Sequence, residues 1–331
     1  MDLLGLNFVL NQNCNITCGH CFYNCKPSTK GVMELEDFKY YLSTVASRNK
    51  LRWVGLGCGG EAFLYYDRLM ECFKETVKYD IKDIYVMTNA FWATTKERAR
   101  QYLKPLKEAG LNIIWFSLDA FHQEFIPIEN IINAATVALE EGIQTVCITS
   151  EYFLDFKSDH PLDGETRALL QSFKEKMGPL SKSLVYDRYV LIPGGRASDL
   201  YSSYVKEMEA KGKQFPTSFK KCRGTVFWGK NLKDPFSIEI DCNGIVELCP
   251  GVAIADLKKD SLEDLLENYN YEKNPIIATL VNEGIPGLTR LAEENGIVLE
   301  SGYQNECHLC YEIRKALNTV YPQHLTPASC Y

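Results

Sequence analysis

Short apolar runs alternate with amphipathic stretches along the first 192 residues. "LNFVL" (6–10) precedes "ELEDFKYYLSTVASR", in which Leu35, Phe38, Leu42 and Val45 recur at helical spacing. "RWVGLG" (52–57) precedes a helix around 67–79. "DIYVMTN" (83–89) precedes "TTKERARQYLKPLKEAG", where Thr94 and Glu97 have the spacing of a capping box and Gly110 marks the stop. "NIIWFSLD" (112–119) leads to "IENIINAATVALEEG", "QTVCITS" (144–150) to a helix near 163–177, and "SLVYDRYVLI" (183–192) closes the series. Six such units predict an α/β fold with a parallel sheet. Right-handed crossovers wrap that sheet into a partial or complete (β/α)6 barrel whose ligands bind at the C-terminal strand ends.

The pattern changes beyond residue 200. "IEIDCNGIVELCPG" alternates around Asn243-Gly244, a strong hairpin signal, and helical segments follow over 261–297. We expect a barrel over 1–200 and a small α+β domain over 201–331.

Composition narrows the function. The 331 residues are 46% hydrophobic, enough for a large core. The start "MDLLGLNFVL" lacks a cationic signal-peptide region, and no apolar run approaches the ~20 residues of a membrane helix, so a cytoplasmic protein with no membrane partner is expected. The net charge of -7 argues against a nucleic-acid partner. The basic run "KGKQFPTSFKKCR" (211–223) reads as solvated surface.

Thirteen cysteines then stand out, because the cytosol keeps thiols reduced and clustered ones suit a metal. Cys14, Cys18, Cys21 and Cys25 crowd the loop after the first strand. Cys222, Cys242, Cys249, Cys307, Cys310 and Cys330 fall in the last third, while Cys58, Cys72 and Cys147 read as small core side chains. Three thiols in a CxxxCxxC loop leave one iron of a [4Fe–4S] cubane open to a substrate or cofactor. Zinc is the competing occupant, and Cys25 is available as a fourth ligand.

The strand ends carry a resemblance. Cys14, Cys18 and Cys21 match the CxxxCxxC loop of the radical S-adenosylmethionine (radical SAM) family. "CGGEAF" (58–63) resembles its GGE motif, "TNAF" (88–91) stands where the family often has "TNG", and "SLDAFH" (117–122) follows strand four. The resemblance covers about residues 6–195. It implies that Gly59 and Gly60 let the backbone approach SAM and that Glu61 accepts its methionine ammonium. Asn89, Ser117 and Asp119 would line the cofactor site, and His20 would lie near the adenine in a slot usually aromatic. For Glu61 the structural alternative is a helix-capping carboxylate; for Ser117 and Asp119 it is turn formation. His122 is either a hydrogen-bonded loop histidine or a substrate contact.

The last third resembles the twitch form of the SPASM extension, in which cysteines hold one auxiliary cluster. That implies Cys222, Cys249, Cys307 and Cys310 as its ligands, hence two [4Fe–4S] clusters and SAM as cofactors, with zinc as the alternative occupant of these four positions. "GGEAFLYY", "TNAFWATTKERARQYL" and "CNGIVELCPG" look like the peptide epimerases of that group. The expected function is SAM cleavage to a 5′-deoxyadenosyl radical and hydrogen abstraction from a ribosomally made peptide, driven by a reductant such as flavodoxin or ferredoxin. A small-molecule radical SAM dehydrogenase and a non-catalytic zinc or electron-carrier protein are the alternatives. The epimerases place a hydrogen-donating Cys directly after the hairpin ligand, where this chain has Pro250. Cys242 is the local candidate for that catalytic role.

Overall fold

The computed structural model describes residues 1–222, 231–299 and 302–331, so Arg223 of the basic run lies outside the described residues. Two compact bodies form. The first is Gly5–Cys18 with Lys26–Leu191; the second is Met1–Leu4, Gly19–Cys25 and Ile192–Tyr331.

The first body holds β1 (Gly5–Val9), α1 (Leu35–Arg48), β2 (Trp53–Leu56), α2 (Tyr66–Thr76), β3 (Asp83–Thr88), α3 (Lys96–Glu108), β4 (Ile113–Ser117), α4 (Ala120–Gln123), α5 (Ile128–Glu140), β5 (Thr145–Tyr152), α6 (Pro161–Met177) and β6 (Val185–Val190). All six strands are parallel, in the order β6-β5-β4-β3-β2-β1. Each crossover therefore advances one strand in the same direction. That is the singly wound wall of a partial barrel, unlike a doubly wound sheet, whose order reverses at a switch point.

The two faces of this wall differ. Leu6, Phe8, Val54, Leu56, Val86, Ile114, Phe116 and Ile148 are fully buried apolar residues that recur at every second position. Helix α1 packs there through Phe38, whose ring lies 4.5 Å from that of Phe8. The alternate positions carry Asn7, Gly55 and Tyr85 in one row, with Trp115 and Cys147 in the next. The Tyr85 hydroxyl donates to Asn7 Oδ1 at 2.8 Å, and Cys147 donates to Asp187 Oδ2 at 3.1 Å. Cys58 lies 3.7 Å from the Tyr85 hydroxyl. Two of the three mid-chain thiols thus have polar company, and only Cys72, buried in α2, packs as a plain small side chain.

The helix α3 cap is one residue later than the sequence spacing suggests. Thr95, not Thr94, accepts the Arg98 amide at 3.2 Å. The four-residue α4 and the 3₁₀ turn Ala62–Tyr65 break no apolar periodicity and were not expected.

The second body holds α7 (Gly195–Ala210), β7 (Ser237–Asp241), β8 (Ile245–Cys249), β9 (Val252–Asp256), α8 (Leu262–Asn268), α9 (Pro275–Asn282), α10 (Gly284–Glu294) and α11 (Glu306–Leu317). The expected hairpin is β7–β8, closed by Asp241, whose carboxylate accepts the amides of Asn243 and Ile245 at 2.8 Å each. Strand β9 adds a third antiparallel strand after the Pro250-Gly251 turn.

Gly55 has no room for a side chain, because an added Cβ would lie 2.4 Å from the Tyr85 ring and 2.8 Å from Asn7 Oδ1. Gly55→Val is expected to cost about 2 kcal/mol or more by overpacking. Urea unfolding monitored by circular dichroism checks this.

Candidate active site and thiol centre

The loops after β1, β2 and β3 are tied together by one carboxylate. Glu61 is 2% exposed and accepts Phe63 N at 3.1 Å, Thr88 Oγ1 at 2.9 Å and Asn89 N at 2.8 Å. Its own amide donates to Asn13 O at 2.8 Å. Glu61 therefore does cap the 3₁₀ turn Ala62–Tyr65, and the same carboxylate holds the β3 loop. Burial pushes its carboxyl up to about 7 against the pull of those three donors.

Gly60 makes this arrangement possible. It sits at φ +62, and an added Cβ would meet Asn11 O at 2.5 Å and Asn13 O at 2.6 Å. Gly59 is half-buried beside it. Asn89, 4% exposed, donates to Asn15 Oδ1 at 2.9 Å and lies 4.0 Å from Cys14 Sγ. Ala90 follows at φ +57, a left-handed conformation that glycine adopts at no steric cost. Backbone geometry thus explains why "TNG" is the commoner motif. Thr88 is held in turn by the Trp92 indole at 3.1 Å.

Ser117 ends β4, half-buried. Asp119 is fully buried and accepts the amides of Phe121 at 3.1 Å and His122 at 3.0 Å, capping α4. Both its oxygens also face His122 Nδ1, at 2.9 and 3.0 Å, and the imidazole hydrogen-bonds the Cys18 thiol. Burial works against the imidazolium, but Asp119 and Cys18 outweigh it and raise His122 well above its usual range. Its link to a motif cysteine leaves no sequence signal, because the two are distant in the chain.

Cys14 and Cys18 belong to the first body, whereas His20 and Cys21 belong to the second. His20 is buried. Around Cys21 the chain is clamped by Arg196, whose amide donates to Cys21 O at 3.1 Å and whose Nη2 donates to Cys25 O at 2.8 Å. A hydrogen bond from Cys25, helped by the charges of Arg196 and His20, overcomes burial and lowers the Cys21 thiol to about 6. A thiol so depressed is readily available as a metal-binding thiolate.

In the second body Cys307 and Cys310 lie one turn apart at the start of α11, after the Asn305 cap that accepts His308 N at 2.9 Å. Burial raises both thiols, Cys310 to about 12, and each feels the negative charge of Cys249 and Cys222. The four sulfurs are thus electrostatic neighbours. Among the described residues no three of them lie within 4.8 Å of one another.

Cys242 stands apart from them. In the β7–β8 register Ile240 pairs with Val246 and Glu239 with Glu247, so Cys242 lies in the turn and Cys249 at the other end of β8. Ile245 and Cys249 are four strand steps apart, about 13 Å at ~3.3 Å per residue. That register puts Cys242 and Cys249 at opposite ends of β8.

A strand wall with a cysteine loop and a braced Gly-Gly-Glu loop at its C-terminal ends defines a cofactor-binding α/β protein. The family model of the Radical SAM superfamily matches residues 8–162, and the chain carries a domain of that superfamily. Such a domain implies SAM and a [4Fe–4S] cluster. YydG of Bacillus subtilis (strain 168), assigned by name only to peptide biosynthesis, is 30% identical over 124 residues, 38% of this chain and 38% of that protein. The chain thus aligns with little more than a third of that relative's length. Among solved structures, BtrN in complex with AdoMet and 2-DOIA is similar at 13% identity, covering 85% of this chain and 88% of that one, with a TM-score of 0.46. Streptococcus suis SuiB bound to precursor peptide SuiA is similar at 14% identity, covering 83% and 66%, with a TM-score of 0.41. Among the described residues no helix is long and apolar enough to cross a membrane.

Glu61 gives a pH test. Its folded carboxyl near 7 lies above the ordinary 4.5, so the native state holds the extra proton between those values and stability falls as pH rises through that window. Glu61→Gln is expected to flatten this slope, read as the difference between wild-type and variant melting temperatures from pH 4 to 8.

Proposed function

We propose that this chain is a cytoplasmic radical SAM enzyme that abstracts a hydrogen atom from a ribosomally made peptide, giving epimerisation or another peptide modification. The observation that carries this reading is the radical SAM domain together with the local identity to a relative named for peptide biosynthesis. Cys14, Cys18 and Cys21 would hold the first cluster, whose open iron and SAM together supply a 5′-deoxyadenosyl radical when an external reductant such as flavodoxin or ferredoxin delivers an electron. Glu61 would take the SAM ammonium on the carboxylate capacity its three donors leave free. Gly59 and Gly60 would give the backbone its close approach, with Asn89, Ser117, Asp119 and His20 lining the cofactor.

Cys222, Cys249, Cys307 and Cys310 would hold an auxiliary cluster. The electrostatic proximity of the four sulfurs supports one shared centre there. Cys242 keeps only the role of a hydrogen donor to be tested, since its turn lies at the far end of β8 from Cys249. Asn89 and Glu61 act on the chain itself, holding the cysteine loop against the β3 loop.

Anaerobically purified protein is expected to hold about eight irons, and the combined Cys14→Ala, Cys18→Ala and Cys21→Ala variant about four, with SAM cleavage abolished. Stoichiometric zinc with little iron overturns the reading. Glu61→Gln should lower SAM affinity about tenfold to a hundredfold with both clusters retained, because a charge-assisted hydrogen bond contributes roughly 1.5–3 kcal/mol.

The substrate class is tested by 5′-deoxyadenosine formation with a short peptide encoded beside the gene. Stimulation by the peptide, and one solvent deuterium in the product made in deuterium oxide, support epimerisation. A product two mass units lighter without deuterium indicates dehydrogenation or cross-linking. No stimulation by any such peptide returns the enzyme to small-molecule substrates. If Cys242→Ala keeps the deuterium, Cys242 is a bystander.

A further inference from the structure

Arg314 is a buried cation with no anion to pair with. It is 3% exposed, stands on α11 one turn after Cys310, and makes no ion pair with a carboxylate among the described residues. Its Nη1 donates to Pro250 O and to the Tyr331 hydroxyl at 2.8 Å each, and that hydroxyl donates to Gly251 O at 2.6 Å. The rings of Tyr311 and Tyr331, stacked 5.5 Å apart, flank the guanidinium at 5.6 and 5.8 Å. Nε is buried and has no acceptor. The charges left nearby are sulfur: Arg314 stands one helical turn from Cys310, its Nη1 is fixed on the carbonyl of the residue after Cys249, and it lies within electrostatic range of both thiols.

This is an unstable arrangement for a protein with nothing else in the site. Burying a charge without a counter-charge is strongly unfavourable, and guanidinium cannot escape by losing its proton. Four thiolates around an iron–sulfur core leave the centre net negative, and reduction adds one more negative charge. A cation locked beside one ligand sulfur stabilises the reduced form more than the oxidised form.

We propose that Arg314 is the built-in counter-charge of the Cys222, Cys249, Cys307 and Cys310 centre, a positioning residue that raises the centre's reduction potential through its fixed charge beside Cys310 and Cys249. The inference rests on the reading of those four cysteines as one metal centre. Pro250, Tyr331 and the helix hold Arg314 in place, so that its charge is fixed near these sulfurs.

The full chain carrying Cys14→Ala, Cys18→Ala and Cys21→Ala isolates the centre. Its midpoint potential is measured by EPR-monitored redox titration with Arg314, Arg314→Met and Arg314→Lys. Met and Lys have similar length and helix propensity and differ in charge. Arg314→Met is expected to lower the potential by about 59 mV or more, a tenfold change in a one-electron equilibrium, and Arg314→Lys to recover at least half of that fall. Loss of iron in the Met variant with retention in the Lys variant supports the same conclusion. An unchanged potential in Arg314→Met overturns the counter-charge role, and so does equal loss of iron in both variants, which would mark a purely structural contact. Absence of iron from the background variant with Arg314 intact overturns the centre itself and the inference with it.

Discussion

The candidate SAM site depends on one buried carboxylate. Glu61 receives donors from its own 3₁₀ turn and from the β3 loop, while its amide reaches back to the cysteine loop. Three chain segments separated by up to seventy-six residues, Asn13 to Asn89, are thereby fixed against one another without a disulfide. The cost is visible in the raised carboxyl, for burial and hydrogen bonding pull in opposite directions at this one group. The Asn89 side chain extends this link through Asn15 to the segment that carries Cys14.

The two bodies meet the problem of stability differently. The first covers one face of a six-stranded wall with long helices and leaves polar groups such as Asn7, Tyr85 and Asp187 on the other, where each has a hydrogen-bond partner. The second buries three short strands and several short helices, and its interior is more charged. Glu239 is raised to about 8 by burial and by Asp241, and it accepts the Tyr23 hydroxyl. Arg314 stands among thiols instead of carboxylates. A small core with charges of this kind gains more from a bound centre than a large apolar one, because ligand binding contributes directly to folding.

Much of the fold was legible in the sequence. Apolar runs of four to eight residues, each followed by a 3.6-residue pattern, identified all six parallel strands and their crossovers, since the period of burial is a local property. The Asn243-Gly244 turn was equally clear, because a left-handed φ of +85 at Gly244 is a demand on residue type. The Thr95 cap missed by one position, as two adjacent threonines offer the same chemistry and only the helix register chooses between them. Helix α4, four residues long, was too short to carry a period of its own.

The chemistry divides along the same line. By itself the sequence determined which side chains follow which strand, and so placed the cysteine, Gly-Gly-Glu, Asn89 and Asp119 segments at one end of the wall. Only the tertiary structure decided which atoms they spend on each other: Glu61 on Thr88 and Asn89, Asp119 on His122, His122 on Cys18. It also decided that Cys242 lies at the far end of β8 from Cys249, and that Arg314 is buried with no carboxylate partner among the described residues. Spacing along a chain reports local geometry; desolvation and pairing depend on what the rest of the chain brings to the same place.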